Sequence, residues 1–547
     1  MAVIRFKVAG IQRYIFAGGS FLDPAGRSGQ VEALTSRTFL EKFGDHVQVW
    51  HSAGGAAVAR VDDAHARDVV AAWSRTVANV SDHLSVSVDR VDGLDDQPIR
   101  VLQHNGWAMS RARSRRVPTA AGTGAFGPVR CTETGDAAEI LVHDGGGAQV
   151  PMSGQAHAAR EEGRRAHARY QKRLLDGVTA PEGIRWQLPS KITDLGRSGG
   201  EMSQVGVLVA DLNQMGRLLR SFGDGLSQEV DAGRCDQTGA LARWQAVSAA
   251  LADTQWAMST AVCARLVELV DLDTDNQRPR LRGHGSGGPV VDLATGQSEG
   301  TQVVYLPVRP WIIAGDDLVM VCDGRLTPLV AQTLMHWLDD EPVDERDPRR
   351  VLRSELGQVP TIGIGAAVIP QGLPLTAGHR IAEWLCDSAK ARCREFATAG
   401  IQSHGFDLDW SHTGPDIGAI HRFREEQARA GLYIGPMMRQ RGTGHNPRLC
   451  DVSYVFDELI GGQLRADPSP ARSRLKGPIR SAILAGSQRR AHAELMNAYQ
   501  QSGTAWPPPG PTPTASDRQV PMWAWYRAIE GMDHAVLTPK GGAGDAA

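Results

Sequence analysis

The order strand, helix, strand, strand, helix, strand is written into this chain twice, and that repeat limits the folds open to it. In the first copy IRFKVAG (4–10) reads as a strand, and residues 31–43 place Leu34, Leu40 and Phe43 at helical spacing. HVQVW (46–50) alternates as a half-buried strand does. AGGAAVARV (53–61) sets a Gly-Gly turn before another strand, 64–80 is helical, and LSVSVDRV (84–91) closes the unit. In the second copy VGVLVA (205–210) is a continuous apolar run, the mark of a buried strand, and it ends at Asp211. Residues 241–270 are spaced as a helix, 272–302 as a loop or hairpin. VVYLPVRPWIIAGDDLVMVCDG (303–324) then reads as strand, tight turn, strand. Thr327-Pro328 offers an N-cap and a first-turn proline for a helix through Leu338. TIGIGAAVI (361–369) is a strand and 375–397 a helix. Each copy has the order of a ferredoxin-like unit.

The expected class is therefore α+β, with two ferredoxin-like domains at 1–100 and 201–411. Between them, 101–200 holds a loop-rich insert, Gly-, Arg- and Ser-rich over 105–150, and a charged helix over 156–175. Residues 412–547 are expected to be mostly helical, broken by the stiff linker WPPPGPTPT (506–514) and ending in a disordered tail, GGAGDAA. A chain of 547 residues with 41% apolar and 22% charged residues can bury more than one core. Its formal net charge of −2 gives no global field for nucleic acid. No apolar run approaches the ~20 residues that cross a bilayer, so no membrane partner is expected. The seven scattered cysteines lack a CxxC pair, which points to reduced thiols and a cytoplasmic protein.

Two carboxylate positions carry the chemistry. Asp211 ends a buried strand, and Asp316-Asp317 occupy a turn between two apolar strands. In a ferredoxin-like sheet the first strand and the central hairpin are neighbours, so the three acids meet at one sheet end. Crowded carboxylates repel unless a cation sits among them. Mg²⁺ takes hard oxygen ligands, and two such ions can hold the attacking and leaving oxygens of a phosphoryl displacement. A GDD turn alone is ordinary hairpin chemistry; its combination with Asp211 and a lysine-bearing helix is the informative pattern. That lysine is Lys390, in SAKARCRE, which either reaches a triphosphate as a point charge or is one more exposed helix lysine.

VLVADLNQMG (207–216), LPVRPWIIAGDDLVMVCDG (306–324) and PTIGIGAAVIP…IAEWLCDSAKARCRE (360–395) resemble the catalytic palm of the large subunit of type III CRISPR effector complexes, the CRISPR polymerase. VAGIQRYIF…AGRSGQVEALTSRTFLEKF (8–43) resembles that family's first palm, and PMSGQAHAAREEGRRAHARYQKRLL (151–175) the segment leading into its second. The resemblance implies a palm that turns ATP into cyclic oligoadenylate second messengers of antiviral defence. It implies two Mg²⁺ ions, for which Mn²⁺ can substitute, on Asp211, Asp316 and Asp317 as catalytic ligands. Asn213, Gly216, Ala314, Gly315 and Lys390 would bind nucleotide, with Gly315 keeping the turn close to phosphate. ATP is the implied substrate; RNA or CRISPR-like effector subunits are candidate partners, and a homodimer is open.

This sequence departs from the family pattern in three ways: Ala314 replaces the first glycine of GGDD, no zinc-ligand cysteines lie between the palms, and no HD nuclease precedes the first. His143-Asp144, followed by GGG, is read as a loop. The first palm has AGGAA (53–57) where acids would stand, so it is expected to hold no metal. GHGSGG (283–288) lacks a P-loop ending. RARSRR (111–116) and the 160–173 helix keep open a second reading, a catalytically weak scaffold that binds RNA.

Overall fold

The structure is a computed structural model. It describes residues 1–455 apart from 82–83, 92, 95, 104–128, 136, 144–146, 197–203, 273–278, 283–289, 316, 343, 411–415, 430–432, 434 and 442–454. RARSRR (111–116), Asp144, GHGSGG (283–288), Asp316, the proline-rich linker and the tail lie outside the described residues.

The first unit runs β1 (Ala2–Ala9), α1 (Ile11–Ile15), α2 (Asp23–Thr35), β2 (Val47–Ala53), β3 (Ala56–Val61), α3 (Ala66–Val80) and β4 (Ser85–Val91), with sheet order β2-β3-β1-β4. All its pairings are antiparallel. The expected 31–43 helix is displaced: α2 begins at Asp23, and Ser36, at φ −67° and ψ 150°, stops it. The Ser36 hydroxyl then accepts from the N–H of Phe39 and starts a separate turn. Helix α4 (Gly154–Leu175) follows, capped by Ser153. It crosses α2 so closely that a Cβ on Gly26 would lie 2.3 Å from the Gly163 nitrogen. Before α4 the insert forms a small hairpin, Ile140–His143 against Gln149–Met152.

The second unit runs β5 (Gln204–Leu212), α5 (Met215–Asp231), α6 (Gln237–Glu268), β6 (Val308–Ala314), β7 (Asp317–Asp323), α7 (Thr327–Asp339), α8 (Pro348–Leu356) and β8 (Ile362–Pro370). Then come α9 (Leu375–Thr398), β9 (Ser403–Asp409), α10 (Ile417–Arg429) and β10 (Met437–Gln440). The six-stranded sheet has the order β6-β7-β5-β8-β9-β10. Its first four strands repeat the order of the first unit, and β9 and β10 extend one edge.

Central strand β5 is apolar from Val205 to Ala210 because both faces are covered there. Leu208, Ala210 and Leu212 join the main core, while Val205 and Val207 join a second core beneath α9. Helix α6 is 32 residues and about 48 Å long; its Met258, Val262 and Leu266 fill the main core. The second core is shared between the units: Ile15 is buried in it, Ile11, Phe16 and Phe21 pack against it, and Trp311, Val319, Ile381 and Leu385 come from the second unit.

Within the expected loop or hairpin of 272–302, Thr295–Ser298 pairs with Thr301–Tyr305. Two sequence expectations need correction, the cap at Thr327 and the helical reading beyond 412. Thr327 is the first helical residue; the capping role falls to Asp323, whose carboxylate accepts from the Arg325 N–H and starts the preceding turn. In the region expected to be helical beyond 412, MMRQ is a strand that pairs with β9. Arg439 and Arg441 hold it down through ion pairs to Asp339 of α7.

Among the described residues no helix is long and apolar enough to cross a membrane. The described cysteines, Cys131, Cys235, Cys263, Cys322, Cys386 and Cys393, are free thiols.

Candidate functional site

Strand register brings the sequence-predicted residues to one line. Asp211 of β5 stands directly opposite Asp317 of β7 on one side and Gly363 of β8 on the other. Asp317 in turn faces Ala314, and Gly363 faces Gly405 of β9. Directly opposed residues project to the same face of a sheet, with antiparallel Cα atoms ~4.5–5.5 Å apart. Asp211 and Asp317 are therefore neighbours on the α9 face. Asp316, the other acid of the turn, lies outside the described residues.

The hairpin β6–β7 turns over two residues, between the paired Ala314 and Asp317. Gly315 has φ +61°, the left-handed region that favours glycine. Ala314 is absent from the residues with positive φ: among the described non-glycines only Gln214 and Glu299 have it. The methyl group of Ala314 thus costs the turn nothing, and Gly315 makes the bend.

Helix α9 supplies the cation. The Lys390 Nζ lies 2.5 Å from Asp211 Oδ2, with side chains 24% and 19% exposed. Burial opposes the lysine's charge, but the hydrogen bond and attraction to Asp211 outweigh it and raise its pKa. Lysine reaches that point because β8 carries glycine there: a Cβ on Gly363 would stand 2.5 Å from Lys390 Cγ and 3.3 Å from Asn213 Oδ1. Beneath the row, burial pushes the Cys386 thiol far above its usual value, and the charges of Asp211, Asp387 and Asp317 add to that while Lys390 opposes. One pocket thus feels both row carboxylates.

Asn213 is buried, and it ties the end of β5 to the start of β8. Its N–H donates to the Thr361 carbonyl at 2.7 Å, and its side-chain amide donates to Thr361 Oγ1 at 3.0 Å. It positions Asp211. Gln214 takes a left-handed conformation and α5 begins at once. The first N–H groups of a helix have no partner inside it and suit anions. At Gly216, in that first turn, a Cβ would meet nothing within 4 Å. The site therefore offers carboxylates, a lysine and a helix N-terminus around open space. Sequence reading overlooked Gly363, Thr361 and Asp387; Asp387 stands three residues before Lys390, a spacing that places both on one helix face.

The first unit repeats the frame without the acids. Its hairpin also turns over two residues, Gly54 and Gly55, both at positive φ, between the paired Ala53 and Ala56. Ala56 occupies the register position of Asp317, and its partner on β1 is Lys7, in the position of Asp211. An alanine and a lysine offer no ligand to a hard cation. The two turns meet: a Cβ on Gly315 would lie 4.0 Å from the Gly54 Cα. On α4, Arg160, Arg169 and Arg173 are engaged with Glu133, Glu162 and Asp253.

No family model matches the chain, and no curated protein does. Its structural neighbours are Csm1 chains. A Csm1-Csm4 cassette in complex with cA3 superposes with a TM-score of 0.46 at 11% identity, over 98% of this chain and 69% of that one. Csm1 from T. onnurineus gives 0.45 at 12% identity, over 97% and 69%. The Csm1-Csm4 subcomplex in the type III-A CRISPR-Csm interference complex gives 0.46 at 11%, over 97% and 69%.

Proposed function

We propose that the second unit is a catalytic palm and the first a degenerate one, and that the protein is a nucleotidyltransferase. It would join ATP 3′ to 5′ into cyclic oligoadenylate-type messengers of antiviral defence. The observation that carries this reading is the opposed pair Asp211 and Asp317 on one sheet face, with Lys390 against it. The donor set fits two Mg²⁺ ions: hard carboxylate oxygens on a row, next to space for phosphate oxygens. Asp211 and Asp317, with Asp316 of the same turn, would hold them. When bound, such ions supply the Lewis acidity that lowers the pKa of an attacking 3′-hydroxyl and offsets charge on the leaving pyrophosphate.

The chain's own part is positioning and charge. Asp211 is held at the end of β5 by the Asn213–Thr361 tie. Lys390 neutralises it and lies where a triphosphate would approach a row of acids. The α5 N-terminus, which follows β5 directly, would offer backbone N–H groups to the phosphates. No side chain is needed as nucleophile, because the substrate's own hydroxyl attacks. ATP is the proposed substrate, and association with CRISPR-like effector subunits is the proposed setting.

The test is incubation of the purified protein with labelled ATP and Mg²⁺, with and without RNA, followed by separation of products. Oligoadenylate from the wild type and none from Asp317→Asn would support the reading. No product under any condition would overturn it in favour of an RNA-binding scaffold.

A further inference from the structure

A second group of metal-ligating side chains lies at the end of the first unit remote from its Gly-Gly turn. His46 immediately precedes β2, Asp62 immediately follows β3, and His65 immediately precedes α3. Backbone hydrogen bonds fix all three positions. The Asp62 N–H donates to the His46 carbonyl at 3.1 Å, the His65 N–H to the Asp62 carbonyl at 2.9 Å, and the Val69 N–H to the His65 carbonyl at 3.0 Å. The side chains converge on the same point. His46 Nδ1 lies 3.1 Å from Asp62 Oδ2, and the two imidazoles are stacked with centroids 3.8 Å apart. One ligand atom from each of the three residues lies within 4.8 Å of the other two.

Stacking and the His46–Asp62 contact engage all three side chains but leave one His65 nitrogen without a polar partner. That atom, Nδ1, is buried and has no hydrogen-bond partner. A buried polar nitrogen without a partner is uncommon in a folded protein and calls for a ligand or an ion. We propose that His46, Asp62 and His65 form a binding site for a first-row divalent cation of the zinc type, with water completing the coordination. Two imidazoles and one carboxylate are a zinc donor set, whereas Mg²⁺ prefers oxygen alone. The site is thus chemically distinct from the Asp211–Asp317 row. His46 and Asp62 have side chains 45% and 36% exposed, so the ion can enter and keep solvent ligands. Coordination requires a ring to turn edge-on; His46, the exposed one, turns out of the stack while His65 stays anchored.

The ion would join both ends of the β2–β3 hairpin to the first turn of α3. His46 also lines an open cleft between the first unit and α6, with Met1, Arg37, Arg60, Leu241 and Gln245. The metal therefore stands at a seam between the units, opposite the one where the hairpin turns meet.

Calorimetric titration of chelator-treated protein with Zn²⁺ tests the proposal, with thermal melting as a second readout. Wild type and Asp211→Asn are expected to bind one Zn²⁺ through this site and to gain thermal stability from it. His46→Ala and His65→Gln should lose that binding, by about 100-fold or more in affinity. Melting of His46→Ala in chelator, unchanged from wild type, shows that the fold survives, since His46 is exposed. Zn²⁺ binding of equal affinity and stoichiometry in both His variants would overturn the proposal, as would no Zn²⁺ binding by the wild type.

Discussion

At residue scale the site turns on Lys390, whose two readings were equal in the sequence because periodicity cannot say what lies across from a helix. The structure places its amine on Asp211. Under the proposed function this cation competes with metal for Asp211 and attracts the triphosphate. Lys390→Met should therefore tighten apparent Mn²⁺ binding and raise the KM for ATP, each by about tenfold, or ~1.4 kcal/mol. Mn²⁺ binding followed by electron paramagnetic resonance, alongside ATP kinetics, checks both; looser metal binding would refute the competition. Ala314 is a milder case. With its φ outside the positive range and Gly315 at +61°, Ala314→Gly should shift ATP turnover by less than about tenfold. A gain from undetectable activity would mark the natural turn as disabled.

At the scale of elements, α9 and β8 decide the site's geometry. Glycines at alternate positions let the helix lie on the strand: a Cβ on Gly365 would stand 2.0 Å from the Ala382 carbonyl oxygen and 2.1 Å from the Cys386 nitrogen. Those are backbone atoms and cannot yield without moving α9. At Gly363 the nearest atom is the flexible Lys390 side chain. Gly365→Ala should consequently destabilise the fold by roughly 3 kcal/mol or more, while Gly363→Ala should cost less than ~1.5 kcal/mol and still raise the KM for ATP, as Lys390→Met does, by displacing Lys390. Chemical denaturation and the turnover assay, run on both, separate the two effects. The strand itself was legible in TIGIGAAVI, as were β5 and the β6–β7 hairpin, because apolar runs and turn residues are local signals. The purpose of the glycines was not, since a close approach belongs to two elements far apart in sequence. The four-residue β10 was missed for a related reason: its pairing and its arginine anchors on Asp339 are all non-local.

For the whole molecule, the repeat of the strand order was readable from the sequence, but the way the copies face each other was not. Their contact depends on which sheet faces are apolar at the same place. Phe16 of the first unit and His379 of α9 meet across it, with tilted rings whose centroids are 3.9 Å apart. Burial holds the His379 imidazole down to about 4, against 6.5 when exposed. Between those values the unfolded chain binds a proton that the folded chain refuses. Stability is thus complete above pH 6.5 and falls as pH drops towards 4, by on the order of 3 kcal/mol from this group. His51 and His336, also held down to about 4 by burial, act in the same direction. Urea melts at pH 6.5 and 4.5 should show the loss in wild type and a smaller one in His379→Leu; equal losses would remove His379 from the account.

The same comparison of units yields the sharpest test of the metal assignment, because register gives the second unit Asp211 and Asp317 where the first has Lys7 and Ala56. Crystals soaked with Mn²⁺ and a non-hydrolysable ATP analogue would locate the ions by anomalous scattering. Density at Asp211 and Asp317, with none at Lys7 and Ala56, is the predicted result. Absence of density at the acids, or equal density at Lys7 and Ala56, would contradict the assignment.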